Sequence, residues 1–555
     1  MTELLVLAVA TLVVIAAATV AGPRLGLASP LVLVLIGVGA SLLPMFGDLH
    51  IDPEWILQGV LPPLLYSSAV SMPAMNFRRE FGAISGLSVV LVVASSLVLG
   101  LFFLVAIPGL GLAWGVALGA IISPTDAVAT SIVKQTTVSK RVVAMLDGES
   151  LLNDATALVL LRTTIVATAA AFSFWGAVGT FAWSVVVAVV VGGAVGVANL
   201  LVRKKVTDSA VNTVISFAVP FVASVPATLL GGSGLVAAVV AGLVTGIRAP
   251  RLLSPRNRLS DAENWRTVEL VLEGLVFLTM GLQVREVVTA VGQEHDGVGT
   301  AVLLAVAALV LTILVRAAYV APLLRSLSRR ARRGALLQER MQGLQAQLAT
   351  PEGQEHALTK TRGSQRRVEQ FTRRVTQTLA DIDYFRRQPL GWREGTAVVW
   401  AGMRGAVTVA AAQTLPPDTP HRALLVLVAF SVAMLSLLLQ GGTIGPLLRR
   451  IAPPVDPGAA TQDDAERARI LDLLKESALG VPAPATGAGD RSPEAFAASR
   501  AHRLAVLDAQ RAALLDARDH GTFDADVLED ALVNLDASQL AIELRGKLAG
   551  QPVDV

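Results

Sequence analysis

The 555-residue chain contains no cysteine, so disulfides and thiolate metal centres are excluded. Charge is scarce too: 16% of residues are charged against 53% hydrophobic, and mean hydropathy is +0.61. A soluble core rarely sustains that average. Histidine occurs six times and never inside an apolar run, which argues against haem ligation, zinc and histidine proton relays there. The apolar runs lack a two-residue alternation, so a β-barrel is not expected. No ATP-binding motif is evident. The isoelectric point of 9.4 would suit a nucleic-acid partner. The basic residues, however, lie between apolar runs, as membrane orientation requires, and no nucleic acid is expected. Met1-Thr2-Glu3 gives no positive leader and no small-residue cleavage site stands out, so residues 4–21 read as a retained helix.

What is present in abundance is apolar length. About thirteen stretches reach the ~20 residues needed to cross hydrocarbon: 4–21, 30–46, 55–72, 81–106, 111–134, 142–171, 174–201, 211–229, 231–247, 266–285, 299–324, 395–415 and 422–447. Alternate connectors are basic. They carry Arg24; Arg78 and Arg79; Lys140 and Arg141; Arg203, Lys204 and Lys205; Arg248, Arg251, Arg256 and Arg258; a loop from Arg325 to Arg393; and Arg449 and Arg450 after the last span. The others are acidic or uncharged: Asp48, Asp52 and Glu54; the connector near 172; Glu286, Glu294 and Asp296. Arg285, His421 and Arg422 are exceptions. The alternation predicts an odd number of spans, with the N-terminus outside and the C-terminus cytoplasmic.

The chain thus reads as an all-α polytopic membrane protein. Residues 1–326 form the first part of a membrane domain, 327–393 a basic cytoplasmic helical loop, 394–450 the last two membrane helices, and 451–555 a helical tail. In the loop, Leu336, Leu337, Met341, Leu344 and Leu348 recur at helical spacing. Two readings stand: a basic face lying on anionic headgroups, or a solvated helical hairpin. The tail carries helical patterns around 463–478, 497–516 and 524–546 and is read as regulatory or stabilising.

Charged residues inside spans are informative, because each costs roughly 2.5–3.5 kcal/mol at a helix centre by insertion scales. The fifth span reads GAIISPTDAVAT, residues 119–130. Pro124 removes a backbone donor, and carbonyls freed beside Asp126 can face a cation where they line a cavity. The sixth begins DGESLLNDATALVLLR, residues 147–162. Ser150 and Asp154 share a face, with Asn153 beside them, whereas Glu149 points about 140° away from Asp154. An oxygen-only set suits a hard cation. Helix-dipole acids at an N-terminus would explain Asp147 and Glu149, but not Asp154. In WAGMRGAVTVAA, residues 400–411, Gly402 and Gly405 loosen the helix around Arg404. Arg404 can neutralise buried carboxylates or stand in for a cation. The two interrupted segments, near 124 and 404, point to an inverted-repeat transporter with a midplane site. Arg316 is available to pair with Glu149. Glu269, Glu273 and Arg162 line either an access path or an inter-subunit surface, or are structural.

Taken in order, LPPLLYSS (61–68), SPTDAVA (123–129), GESLLNDATALV (148–159), FLTMGLQ (277–283) and GMRGAV (402–407) resemble the Na⁺/H⁺ antiporters of the NhaP and eukaryotic-exchanger type, across about 4–447. The resemblance implies a homodimer in the cytoplasmic membrane, with a core domain that moves against a dimerisation domain. It places Na⁺, or another monovalent cation such as Li⁺ or K⁺, near Thr125, Asp126, Ser150 and Asp154. Arg404 would lie at the crossing of interrupted helices, with Glu149 and Arg316 as a structural salt bridge. Asn153-Asp154 resembles the electroneutral branch. Some archaeal members carry a glutamate in the third span that reaches the ion; here that place is Ser67. No catalytic residue and no cofactor are expected. A channel would need a glycine-rich filter, which is not found. An intramembrane hydrolase lacks a histidine or a paired-aspartate motif in the spans.

Overall fold

The computed structural model describes residues 2–24, 27–44, 52–134, 136, 138–169, 174–293, 297–350, 355, 365–451, 457–483 and 492–548. Asp48, Glu294, Asp296 and the connector near 172 lie outside them. Every regular element described is a helix. In chain order these are α1 (Thr2–Arg24), α2 (Ser29–Ser41), α3 (Trp55–Val60 as a π turn, then Leu61–Ser71) and α4 (Ala74–Ala106). There follow α5 (Leu112–Ile122), α6 (Val128–Val133), α7 (Lys140–Ala169), α8 (Phe174–Arg203), α9 (Ser209–Leu229) and α10 (Gly234–Leu252). Next are α11 (Pro255–Leu282), α12 (Val284–Gln293), α13 (Val298–Ala349), α14 (Gln365–Arg387), α15 (Trp392–Trp400), α16 (Ala406–Gln413) and α17 (Arg422–Ile451). The tail supplies α18 (Pro457–Leu479), α19 (Pro493–His520) and α20 (Ala525–Leu548). Among the described residues, nine helices are long and apolar enough to cross a membrane, and α2 and α5 are shorter apolar helices.

Local chemistry sets several boundaries. Asp208 accepts the amides of Ala210 and Val211 at the start of α9, and Ser254 that of Asn257 ahead of Pro255 in α11. These caps satisfy donors a helix end leaves open. In lipid, helices associate by close packing of small residues. Gly37 of α2 and Gly281 of α11 meet so closely that a Cβ on Gly37 would lie 2.5 Å from the Leu278 carbonyl oxygen.

The membrane helices sort into two bundles. α10 packs on α3, α8 and α9, while α11 packs on α1, α2, α3 and α9. In the other, α5 packs on α4 and α7, α13 on α4, α15 and α17, and α16 on α17. The bundle of α1–α3 and α8–α11 is hereafter the scaffold; that of α4–α7, α13 and α15–α17 is the crossing bundle. A buried cluster ties the scaffold together at one end. Arg203 pairs with Asp261 at 2.9 Å and donates to Asn212, and the Trp265 indole donates to Ser216.

Helix α13 runs on for 52 residues, far beyond the apolar stretch ending near 324. Its extension pairs with α14 as a hairpin, burying Leu348, Val368, Val375 and Ile382, while Leu336 is 83% exposed. The tail helices close around Ile470, Leu507, Leu514, Leu528 and Leu535, and Met75 of α4 joins that cluster. The connector residues reach the tail from both bundles. Lys140 pairs with Asp524 at 3.0 Å and Arg79 donates to the Gly521 carbonyl; Arg251 pairs with Asp519 and Arg258 with Asp536.

A carboxylate-lined cavity at two broken helices

Both sequence breaks are breaks in the structure. The chain is non-helical from Pro124 to Asp126 between α5 and α6, and from Gly402 to Gly405 between α15 and α16. The two breaks touch: the Asp126 amide donates to the Met403 carbonyl at 2.7 Å. Four helix ends therefore meet at one place, two with open carbonyls and two with open amides.

Each kind of end is met by charge of the opposite sign. Arg404 donates to the carbonyl of Ile122, the last residue of α5, at 3.0 Å, and also to the Gly402 carbonyl. Gln440, in the π turn Leu437–Gly441 of α17, donates to the Trp400 carbonyl that closes α15. On the other side Asp126 accepts the Val128 amide at the start of α6. Its second oxygen lies against Gly405 at the start of α16, where a Cβ would fall 1.4 Å from it. Such placement follows the partial charges of helix termini. Arg404 thus donates to carbonyl ends and makes no direct ion pair with a carboxylate among the described residues; buried Glu149 is its electrostatic neighbour.

A relay of buried groups fixes the first break. Asn153 donates to both the carbonyl and the hydroxyl of Thr125, at 3.1 and 2.7 Å, and that hydroxyl donates to Glu149 at 3.1 Å. Glu149 forms a two-pronged ion pair with Arg316, one prong at 2.8 Å, and Arg316 donates on to the Val398 carbonyl. Glu149 and Arg316 are 1% and 2% exposed. Thr125 is thereby fixed in the break, with a lone pair left on each oxygen. The helix-dipole reading of Asp147 is corrected as well. Helix α7 starts at Lys140, so Asp147 lies two turns inside it, where it pairs with Lys134 at 3.1 Å.

Beside the crossing lies a cavity of about 280 Å³, walled by α3, α7, α11 and the two breaks. Thr125, Asp126, Ser150 and Asp154 line it, together with Lys134, Asp147, Glu269, Glu273 and Thr408. Asp154 and Asp126 are electrostatic neighbours, as are Asp126 and Glu273. The Ser150 hydroxyl donates to the Asp147 carbonyl, leaving its lone pairs free. Thr408 Oγ1 is buried with no partner among the described residues. Half-exposed Lys134 marks the end where water enters, beside Ser71, Met72 and Pro73. No three acidic or imidazole groups among the described residues converge closely enough to chelate a metal ion.

Four sequence candidates lie elsewhere. Ser67 does not line the cavity; it donates to Glu269 at 3.2 Å. Arg162 is exposed and outside the cavity wall. Glu149 and Arg316 lie behind the break. Lys134 and Thr408 were missed. Lys134 ends the apolar stretch 111–134 and was passed over as its boundary, and Thr408 carries no charge.

A polytopic helical protein with two broken helices crossing beside an acidic cavity between bundles is built as a secondary transporter. The chain belongs to the sodium/hydrogen exchanger family, whose transmembrane region matches residues 8–450. An uncharacterized Na(+)/H(+) exchanger of Mycobacterium tuberculosis is 27% identical, over 97% of this chain and 96% of its own. A sodium, potassium, lithium and rubidium/H(+) antiporter of Bacillus pumilus is 29% identical over 48% of this chain and 41% of its own. In fold, the chain is similar to the sodium proton antiporter MjNhaP1 of Methanocaldococcus jannaschii. The TM-score is 0.57 at 14% identity, covering 82% of this chain and all of that one.

Proposed function

We propose that this protein exchanges a monovalent cation for a proton, electroneutrally, through one site at Asp154 and Asp126. The observation that carries this reading is Asp154 itself. It is 8% exposed, faces the cavity, and makes no hydrogen bond or ion pair with a described residue. A buried carboxylate without a partner binds either a proton or a cation. Exclusive occupancy couples the two fluxes. Asp126, Ser150, Thr125 and Thr408 supply further oxygens, which suit a hard cation, while Asn153 holds the break. Electroneutrality is supported by the neutral amide of Asn153, engaged with Thr125, at the place where a second charge would otherwise sit.

The same reading takes the chain as about thirteen spans folded as inverted repeats, the first eleven within 1–326 and the last two within 394–450. The basic loop 327–393 and tail 451–555 lie on the cytoplasmic side and the N-terminus outside. The gathering of basic connectors and tail at one end supports this orientation. A homodimer through the scaffold bundle follows from the resemblance. Na⁺ is the first cargo; K⁺ and Li⁺ stand beside it, given the names of the relatives.

Proteoliposomes test the proposal. Asp154→Asn is expected to abolish cation-driven proton flux while the protein stays folded, and wild-type flux would sink the assignment. In the wild type, raising cation concentration should shift the acid limb of the pH profile to lower pH, because protons and cation compete. At fixed gradients the rate should ignore membrane potential; strong dependence would rule out one-for-one exchange.

A further inference from the structure

Glu273 stands in the cavity but not in the crossing bundle. It belongs to α11 of the scaffold, one turn from Glu269. Glu269 is held by Ser67. Glu273 has no hydrogen bond or ion pair with a described residue, although it is only partly exposed. A carboxylate so placed calls for a counter-ion. The nearby basic groups are already engaged: Lys134 with Asp147, Arg316 with Glu149, and Arg404 with helix-end carbonyls. What remains to neutralise it is a proton or a mobile cation from the water-filled end. Glu273 stands on α11, whereas Asp126 and Asp154 belong to the crossing bundle, so its place suits a separate station ahead of them.

We propose that Glu273 is a docking carboxylate that holds the incoming cation before Asp154 takes it, and that it serves one side of the membrane. The inference rests on the exchange reading above. Its asymmetry comes from the two bundles. Asp126 and Asp154 ride on the crossing bundle, and Glu273 stays with the scaffold. When the bundles shift to open the other side, the aspartates part from Glu273. An ion arriving from that other side then finds the aspartates without it.

The test is the cation KM measured separately from each face, in proteoliposomes whose protein has been oriented by selective inactivation of one population. Glu273→Gln is expected to raise KM on the face bearing the basic connectors by about tenfold, the equivalent of roughly 1.4 kcal/mol. KM on the opposite face should stay within about twofold. Equal shifts on both faces, or none, would overturn the proposal. Glu273→Asp keeps the charge on a shorter arm and should show a smaller one-sided rise; it carries the test if the glutamine variant fails to fold. Asp154→Asn runs alongside. Flux through that variant would defeat the exchange site itself, whereas a silent Glu273→Gln beside an inactive Asp154→Asn would defeat this inference alone.

Discussion

The two bundles handle charge in opposite ways. Asp154 apart, the crossing bundle settles its charges internally: Glu149 on Arg316, Glu80 on Arg141, Arg404 on carbonyls, Asp126 on amides. The scaffold keeps one closed network, Arg203 with Asp261, and presents Glu269 and Glu273 at the cavity wall. Under the alternating-access mechanism proposed above, the difference teaches that a unit meant to travel carries its own neutralisation, since any charge paired across the boundary would be stranded by movement. A stationary wall has no such constraint and can offer its carboxylates to whatever passes.

The comparison can be broken hardest at Gly405. A methyl there would fall on the Asp126 carboxylate, so Gly405→Ala should eliminate exchange in vesicles. Gly39→Ala on the scaffold meets nothing within 4 Å and should transport at nearly the wild-type rate. Equal activities would show that the crossing tolerates loosening. A smaller effect is expected at the buried pairs. Glu149→Ala or Arg316→Ala should each lose about 3–5 kcal/mol of stability, and the double variant should recover part of it, because an unpaired charge no longer remains. Thermal unfolding in detergent measures this, and simple additivity would mean that the pair does not interact. Arg203→Ala should lose comparable stability while cation KM stays unchanged, which sharpens the contrast between bundles. The smallest effect belongs to the tail. Asp536→Asn weakens contacts to Arg258 and Arg511 and should cost about 1–2 kcal/mol, read as a lower Tm with exchange retained.

Much of this architecture was legible in the sequence because the bilayer demands it. Length and hydropathy locate helices, and a proline or glycine pair within a span locates a break. Asp126, Ser150 and Asp154 were legible as the cavity wall because charge is costly there. Other features were hidden for physical reasons. Hydropathy reports where apolar surface ends, not where the helix ends, so α13 ran past 324 on helix-forming Ala, Leu, Arg and Gln. The stretch 142–171 came within two residues of the start of α7 at Lys140, yet Asp147 and Glu149 were weighed as acids at a helix N-terminus, which hid the true setting of Asp147. Arg404 was placed correctly, but its partners are backbone carbonyls, which have no sequence signature. The basic connectors were read for topology alone. Their second use, as partners for Asp519, Asp524 and Asp536 of the tail, depends on how three distant helices dock.

The seam between the bundles has a mechanical consequence. Hydrogen bonds that join neighbouring helices in the membrane run inside a bundle, such as Tyr66 to Thr245 or Arg316 to Val398. Between bundles, Leu31 lies by Gly441, and Ile15, Leu31 and Val34 share a packed cluster with Met403 and Val409; Gln283 reaches Gln413 at a long 3.4 Å. Dispersion contacts have shallow, interchangeable minima, so this surface behaves as a greased bearing with little friction of its own. Directional grip lies at the rim, where the tail holds Arg79 and Lys140 on one side and Arg251 and Arg258 on the other.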